Sequence, residues 1–443
     1  MALVHDWLTG MRGGEKVLEA IAELYPDATI HTLLHVKGSV SKPLESHPER
    51  RSFVQWLPSA ARHYRQYLPL FPIAIEQFDF DPYDLVISTS HCAAKSVVVP
   101  GRARHVCYCH SPMRYAWDQF ASYFGPDQVG PTRSRLLRPV LARLARWDRD
   151  TAGRVDRYVA NSHYVAGRIR RYYNRGSTVV YPPVDTAFYR PDQARSPEPF
   201  FLAVSALVPY KRLDVAIQAA ALTNASLTIV GRGPEELRLR RLAEKTGGKV
   251  EFAGWLEDDD IRTAYQRCRA VLMPGIEDFG MVPVEAQACG RPVVALAAGG
   301  ALESVVDGVT GILVRDSSVN AFAAAMADAA SRDFDSAAIR RHAESFGKAR
   351  FHAEFRAVVD ATDSGCRGSR EDDRDAAPRR SSDPIDVSNA ARYAQDPTHS
   401  GFRSSREDDR DAAPRRSRDP VDVSNAARYA QDCRNPAVRE KKQ

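Results

Sequence analysis

Glu277 and Glu285 stand eight residues apart in the stretch Pro274-Gly-Ile-Glu277-Asp-Phe-Gly-Met-Val-Pro283-Val-Glu285. The apolar run 270–273 before them reads as a strand, and Pro283 suits the first turn of a helix. This predicts that the backbone N–H groups of Phe279, Gly280, Met281 and Val282 open from a helix N-terminus, where a phosphate or sugar oxygen would bind. Taken alone, Glu285 is accounted for by the helix dipole, which favours an acid in the first turn. Glu277 lies on the loop facing the same opening, and two carboxylate acceptors flanking a ring of N–H donors suit a polyhydroxylated ligand. Gly13-Gly14 follows the first strand and its loop and opens a helix over 15–24. The pair reads either as an ordinary turn or as backbone brought close to a ligand. His110 ends the apolar run 105–109, at the strand end where ligands of parallel sheets bind; on its own, a strand-end histidine is read as structural. The run His105-x-Cys107-x-Cys109-His110 is dense in soft ligands. Alternate strand positions point to opposite faces, however, and no second pair with zinc-site spacing follows, so no metal is expected.

These residues need strands and helices to hold them. In the first half, 2–5, 85–88, 105–109, 157–160 and 178–181 read as buried strands, and in the second half 200–205, 226–230, 250–253, 270–273, 292–296 and 311–314 do. Each is followed by a loop and an amphipathic stretch. Such alternation predicts an α/β protein with parallel sheets covered by helices on both faces. The two sets join near Tyr181-Pro-Pro-Val-Asp185 and the Pro- and Arg-rich stretch 190–199. Two doubly wound domains follow, over 1–185 and over 186–362 with C-terminal helices, and the natural ligand site is the cleft between them.

Of the 443 residues, 44% are hydrophobic and 27% charged, which excludes a collagen, a coiled-coil rod or a wholly disordered chain. No apolar run approaches the roughly 20 residues of a membrane-spanning helix. No basic leader or cleavage site precedes Ala2-Leu3-Val4, and the seven cysteines are scattered, so reduced thiols and a cytoplasmic protein are expected. The net charge of +6 is uneven. Residues 1–185 hold 24 Lys+Arg against 17 Asp+Glu, whereas 186–362 hold 21 against 23. Two basic, apolar segments, 50–70 and 133–154, lie in the first half. In the second, Leu136, Leu137, Val140, Leu141 and Leu144 recur at helical spacing among five arginines. That helix either lies on an anionic membrane surface or packs on the core with a solvated basic face. No nucleic-acid motif accompanies the charge, and nucleic acid is not an expected partner. Residues 363–443 carry a 36-residue tandem repeat, 369–396 returning as 405–432 with changes only at Ser382/Arg418 and Ile385/Val421. With few apolar residues per copy, this segment is expected to be a disordered tail.

The chemistry-bearing stretch resembles the signature of retaining glycosyltransferases of family 4, which have the GT-B fold. The resemblance covers about residues 1–360. It includes Leu207-Val-Pro-Tyr-Lys211-Arg-Leu-Asp214, Val230-Gly-Arg-Gly-Pro234, Phe252-Ala-Gly-Trp255 and Gly299-Gly-Ala-Leu-Glu303. In the first half it includes His5-Asp-Trp-Leu8, Gly13-Gly-Glu-Lys16, Cys109-His-Ser-Pro-Met-Arg-Tyr-Ala-Trp-Asp118 and Ala160-Asn-Ser162. The wording around His5 and His110 looks most like the bacterial mannosyltransferase branch of O-antigen and exopolysaccharide assembly.

The resemblance implies an acceptor-binding N-terminal domain and a nucleotide-sugar donor domain facing across the cleft. Glu285 would bind the ribose hydroxyls, Glu277 the transferred hexose, and Phe279, Gly280, Met281 and Val282 the sugar and phosphate through their amides. Lys211 would neutralise the donor diphosphate, with Gly13 and Gly14 against the donor phosphates and the acceptor. His110 would hydrogen-bond near the reaction centre; Arg114 and Asp118 are candidates for orienting the acceptor. The family often has an arginine five residues before the lysine. Here that position is Ala206, and Arg212 is the candidate replacement. The expected donor is GDP-mannose, the acceptor a glycan or lipid-linked oligosaccharide, and no cofactor or metal is required. Alternatives are a UDP-hexose donor, a sugar-nucleotide epimerase, or a degenerate module that binds donor without turnover.

Overall fold

The computed structural model describes residues 1–192, 194 and 196–365. Residues 1–365 hold two parallel sheets. The first has seven strands: β1 Ala2–His5, β2 Thr29–Thr32, β3 Glu49–Arg51, β4 Leu85–Ser90, β5 Arg104–Cys109, β6 Arg157–Ala160 and β7 Thr178–Val179. Their order is β3-β2-β1-β4-β5-β6-β7. The second has six: β8 Phe200–Val204, β9 Ser226–Val230, β10 Lys249–Gly254, β11 Ala270–Met273, β12 Val293–Leu296 and β13 Gly311–Val314. Their order is β10-β9-β8-β11-β12-β13. In each sheet the winding reverses beside the first strand, between β1 and β4 and between β8 and β11. The crevice at such a reversal, outside the carboxyl ends of the strands, is where ligands bind.

The six strands expected in the second half are all present. Two strands of the first sheet were not anticipated. β2 is Thr-Ile-His-Thr, and its polar positions hide a strand that is mostly buried. β3 is Glu-Arg-Arg, an edge strand with two exposed arginines; charge at an edge discourages pairing with other chains.

The helix Gly13–Leu24 begins at the glycine pair and buries Val17, Leu18 and Ile21 under the first sheet. The basic segment forms the helix Pro131–Asp150, which buries Leu141, Leu144 and Ala145 and leaves Arg133, Arg135, Arg138, Arg143, Arg146 and Arg149 exposed. Its fully buried Asp148 pairs with the equally buried Lys95 at 3.0 Å and accepts from Trp117 Nε1 at 2.7 Å and Tyr173 Oη at 2.9 Å. That network clamps the helix to the domain.

One boundary differs from the division at 186–362. The last helix, Lys348–Gly365, belongs with the first sheet. Phe351, Phe355 and Val359 join a core with Leu3, Val17, Ile87 and Tyr108, and Lys348 Nζ donates to Glu23 at 2.8 Å. The chain therefore crosses between domains twice. The crossings lie side by side, since Val184 N donates to Phe346 O at 3.0 Å. Of the segment 363–443, expected to be a disordered tail, residues 363–365 end this helix and the rest lies outside the described residues.

Candidate active site

The mouth of the cleft is built from the carboxyl ends of β1, β4 and β5 on one side and β8 and β11 on the other. After β11 the chain turns through Pro274–Gly280 into the helix Met281–Ala288. Gly280 has φ +84°, a conformation that a side chain rarely adopts. The turn is braced from the loop after β12: Gly300 N donates to Glu277 O at 2.9 Å, and a Cβ on Gly300 would lie 2.3 Å from Phe279 Cα. Phe279 is buried, its ring 5.5 Å from that of Tyr181. These packings hold the first amides of the helix toward the cleft, and first-turn amides have no partner within their own helix.

Glu277 pairs with Lys211, which ends the short turn Pro209–Lys211 after β8. Glu285 lies one turn into the Met281 helix and is buried. Its Oε2 accepts from Tyr265 Oη at 3.0 Å and its Oε1 lies 3.5 Å from Lys16 Nζ. Lys16 comes from the other domain and also donates to Tyr189 Oη at 3.2 Å and meets Asp258 at 3.5 Å. Burial alone would lower the Lys16 pKa; the Glu285 and Asp258 charges outweigh it, and the ammonium is held above its usual range.

Gly13 sits directly opposite the Met281 helix: a Cβ there would lie 3.2 Å from Met281 Sδ. Gly14 faces the histidines, with His110 Nε2 and His5 Cε1 each 3.6 Å from a Cβ built on it. His110 is half-buried, and its Nε2 is shielded from solvent with no hydrogen-bond partner among the described residues. Burial, then the charges of His91, His5 and Arg114, push its pKa well down. The ring is therefore neutral, with one nitrogen available to a ligand hydroxyl beside Gly14.

Asp6 fixes this floor. Its carboxylate accepts from the backbone N–H groups of His91, Cys92, Ala93 and Ala94 at 2.6–2.9 Å, which sets the loop after β4.

Of the expected site residues, Glu277, Lys211, Glu285, Phe279, Gly280, Met281 and Val282 converge on one side of the cleft, with Gly13, Gly14 and His110 facing them. Arg212 does not join them. It is exposed, has φ +51°, and pairs with Asp214 at 3.3 Å. Ala206 is likewise exposed. Arg114 and Asp118 do reach the cleft, but into an ion network with Asp278 and Arg168 rather than an open surface. His105 is fully engaged: Nδ1 bonds Arg154 O at 3.0 Å and Nε2 bonds Ser88 Oγ at 2.8 Å. Cys107 and Cys109 pack among Tyr158, Val165 and Ile169. Among the described residues no three His, Cys, Asp or Glu side chains gather as a metal site, and the five described cysteines are free and buried.

Sequence reasoning missed Lys16 and Asp278. Lys16 lies three residues beyond Gly13, one helical turn along the same face, and that spacing was a usable signal. Asp278 lies between two residues that were singled out, but nothing local marks its partners.

Comparison with known proteins agrees with this architecture. Residues 11–188 match the family model described as Glycosyltransferase Family 4, and residues 185–347 match that described as Glycosyl transferases group 1. Matched in chain order over the two doubly wound domains, these models put a Glycosyltransferase Family 4 domain and a Glycosyl transferases group 1 domain together on a GT-B fold. Among curated relatives, D-inositol 3-phosphate glycosyltransferase of Mycobacterium tuberculosis is 36% identical over 166 residues, 33% of this chain and 35% of that protein. The chain thus spans about a third of the length of the curated relatives it matches. Among solved structures, HepE of Anabaena in complex with UDP and glucose superposes with a TM-score of 0.61 at 20% identity, over 81% of this chain and 99% of HepE. The lipopolysaccharide outer core galactosyltransferase WaaB gives 0.57 at 16%, over 81% and 99%. At these identities the structural likeness speaks for the fold.

No helix among the described residues is long and apolar enough to cross a membrane.

Proposed function

We propose that the protein is a retaining hexosyltransferase that moves a sugar from a nucleotide sugar onto a glycan or lipid-linked glycan. The observation that carries this reading is the convergence, across one cleft, of Glu277, Lys211 and Glu285 with the Gly13 turn and a neutral His110. In the proposed complex the ribose hydroxyls donate to Glu285, displacing Lys16 from it. The hexose hydroxyls donate to Glu277. The diphosphate lies on the Met281 helix N-terminus, with Lys211 turning from Glu277 to meet it. Charge that develops on the departing diphosphate is stabilised by these preplaced groups, so a metal is not required. A phosphate oxygen of the leaving group takes the proton of the acceptor hydroxyl as that hydroxyl attacks from the same face.

For the donor we propose GDP-mannose, on the motifs around His5 and His110. A UDP-sugar is the second reading, favoured by HepE, which was solved with UDP and with UDP-glucose. The wild type titrated with GDP-mannose and UDP-glucose by thermal shift decides between them. A ligand at 100 times its Kd stabilises by about 2.7 kcal/mol, and the rise should vanish in Glu285→Ala. Transfer that survives EDTA, with the product's anomeric configuration read by NMR, tests the metal-independent, retaining mechanism. An isomerised free donor would instead mean an epimerase.

The acceptor side extends to peripheral contact with the cytoplasmic face of a membrane. The support is the row of exposed arginines on the Pro131 helix with Leu136 68% exposed among them. Co-sedimentation with anionic vesicles that is lost on replacing Arg135, Arg138 and Arg143 by Glu tests it.

A further inference from the structure

Asp278 follows the hexose-facing Glu277 in the chain, and its side chain reaches across the cleft into the other domain. There it pairs with Arg114 and, at 2.8 Å, with Arg168. Arg168 also donates to Ser111 Oγ at 2.8 Å and pairs with Asp118 at 2.8 Å. Asp278 and Arg168 are both nearly sequestered, at 9% and 7% side-chain exposure. The backbone joins in, since Ser162 Oγ donates to Asp278 O at 2.6 Å, and Asn161 Nδ2 donates to His110 O at 3.0 Å. Two positive and two negative side chains thus close into a neutral cluster that spans both domains. It touches the loop carrying Glu277 on one side and the loop carrying His110 on the other.

We propose that Asp278 is a positioning residue, an interdomain clasp that holds the cleft closed and aligns Glu277 with His110 for transfer. The proposal rests on the nucleotide-sugar reading of the site for its catalytic consequence, but not for the clasp itself. Glu285, Lys211 and the Met281 helix all belong to the C-terminal domain, so nucleotide can be held there whether or not the clasp is made. Alignment with His110 cannot, because it needs both domains at a fixed distance, and small displacements of reacting groups are costly in rate. Removing the Asp278 charge leaves Arg168 beside an unbalanced positive neighbour, Arg114, in a site with little water. Separation of the domains then becomes the favoured way to hydrate both.

The test is Asp278→Asn, which keeps shape and removes charge. It is read by nucleotide Kd from calorimetry, by kcat for transfer, and by the radius of gyration from small-angle scattering. The expected result is a fall in kcat of about tenfold or more with nucleotide Kd nearly unchanged, and a larger radius of gyration with nucleotide bound. Arg168→Gln should do the same, and the double variant should be no worse than either single one. An unchanged kcat with an unchanged radius overturns the proposal. So does a parallel loss of nucleotide binding and rate at constant radius, since that is what a local structural contact would give. Should Asp278→Asn fold poorly, Arg168→Lys keeps the charge but loses the fork that reaches Ser111, Asp118 and Asp278 together, and an intermediate effect is expected. If the wild type binds no nucleotide, the donor reading falls; the unliganded radius of Asp278→Asn still decides the clasp, expansion supporting it and no change overturning it.

Discussion

The two halves of this protein are wound alike and filled differently. The C-terminal sheet is covered by apolar side chains, with Phe201, Leu227, Ile229, Leu272 and Phe322 in its core, as expected for parallel strands buried on both faces. In the N-terminal half the corresponding strands carry Ser88, Thr89, Ser90 and His105, all buried, and Lys95 and Asp148 lie beside them without contact with solvent. In the C-terminal half most of the functional charge is gathered at the mouth, in Lys211, Glu277, Asp278 and Glu285. One half is thus an apolar platform with a charged rim, and the other carries polar connections from its core to its rim. The first should lose activity when its charges are changed, the second stability.

The sharpest test of that contrast is Lys95→Met. It leaves Asp148 buried without its cation, and breaking a buried pair in this way costs about 4 kcal/mol. Urea denaturation should show the loss.

Next comes pH. The Nδ1 of His105 faces a carbonyl and must donate, so Nε2 accepts from Ser88 and the ring is neutral. Burial lowers its pKa to about 4. Because the folded value lies below the unfolded one of about 6.5, this group's contribution is complete above pH 6.5 and is lost as pH falls toward 4, a difference of about 3 kcal/mol. His31, lowered to about 4 mainly by burial, acts in the same direction. The melting temperature should fall steeply across that window, and His105→Gln should flatten the curve.

In the other half, Glu277→Gln should lower kcat/KM by about a hundredfold, a little under 3 kcal/mol. The urea midpoint should stay where it is, and a shift there as large as that of Lys95→Met would erase the distinction. The smallest effect is expected at the seam. Glu303 accepts from His163 N at 2.8 Å and Tyr164 N at 3.0 Å, capping the helix His163–Tyr173 from across the cleft. Glu303→Ala should cost about 1 kcal/mol, measurable by thermal denaturation.

The same contrast explains what could be read from sequence. Every strand of the C-terminal half carries enough apolar residues to be read, from Ala-Val-Leu-Met in β11 to the alternating Lys-Val-Glu-Phe-Ala of β10. In the polar half β2 is hidden, because His31 is accommodated by Phe78, Phe80 and Tyr83 from a distant segment rather than by its neighbours. β3 is hidden because an edge strand need not be apolar. At the site, Glu277 and the amides after it are placed by a recognisable strand end and helix start, whereas Glu285, Gly13 and His110 read by themselves as a dipole partner, a turn and a structural histidine, and only the motif resemblance singles them out. Asp278 was not legible, because its partner Arg114 lies 164 residues away in the chain; Lys16, whose partner Glu285 lies 269 residues away, was marked only by its helical spacing from Gly13. Arg212 went the other way: its local position looked suitable, yet a left-handed backbone directs it to Asp214.

The paired crossings at Val184 and Phe346 make the C-terminal domain an insertion, entered and left through one doorway. A single proteolytic cut at either crossing would not release a half, because the other strand still ties the two together. Excision of 186–347 with its ends joined is sterically natural, since those ends are already hydrogen-bonded neighbours. An N-terminal fragment ending at 185 would expose the apolar patch that Phe351 and Phe355 cover, and would be prone to self-association. Two adjacent strands also leave one easy axis of rotation, running through the doorway. Opening and closing of the cleft therefore resembles a door on paired hinges more than two beads on a string.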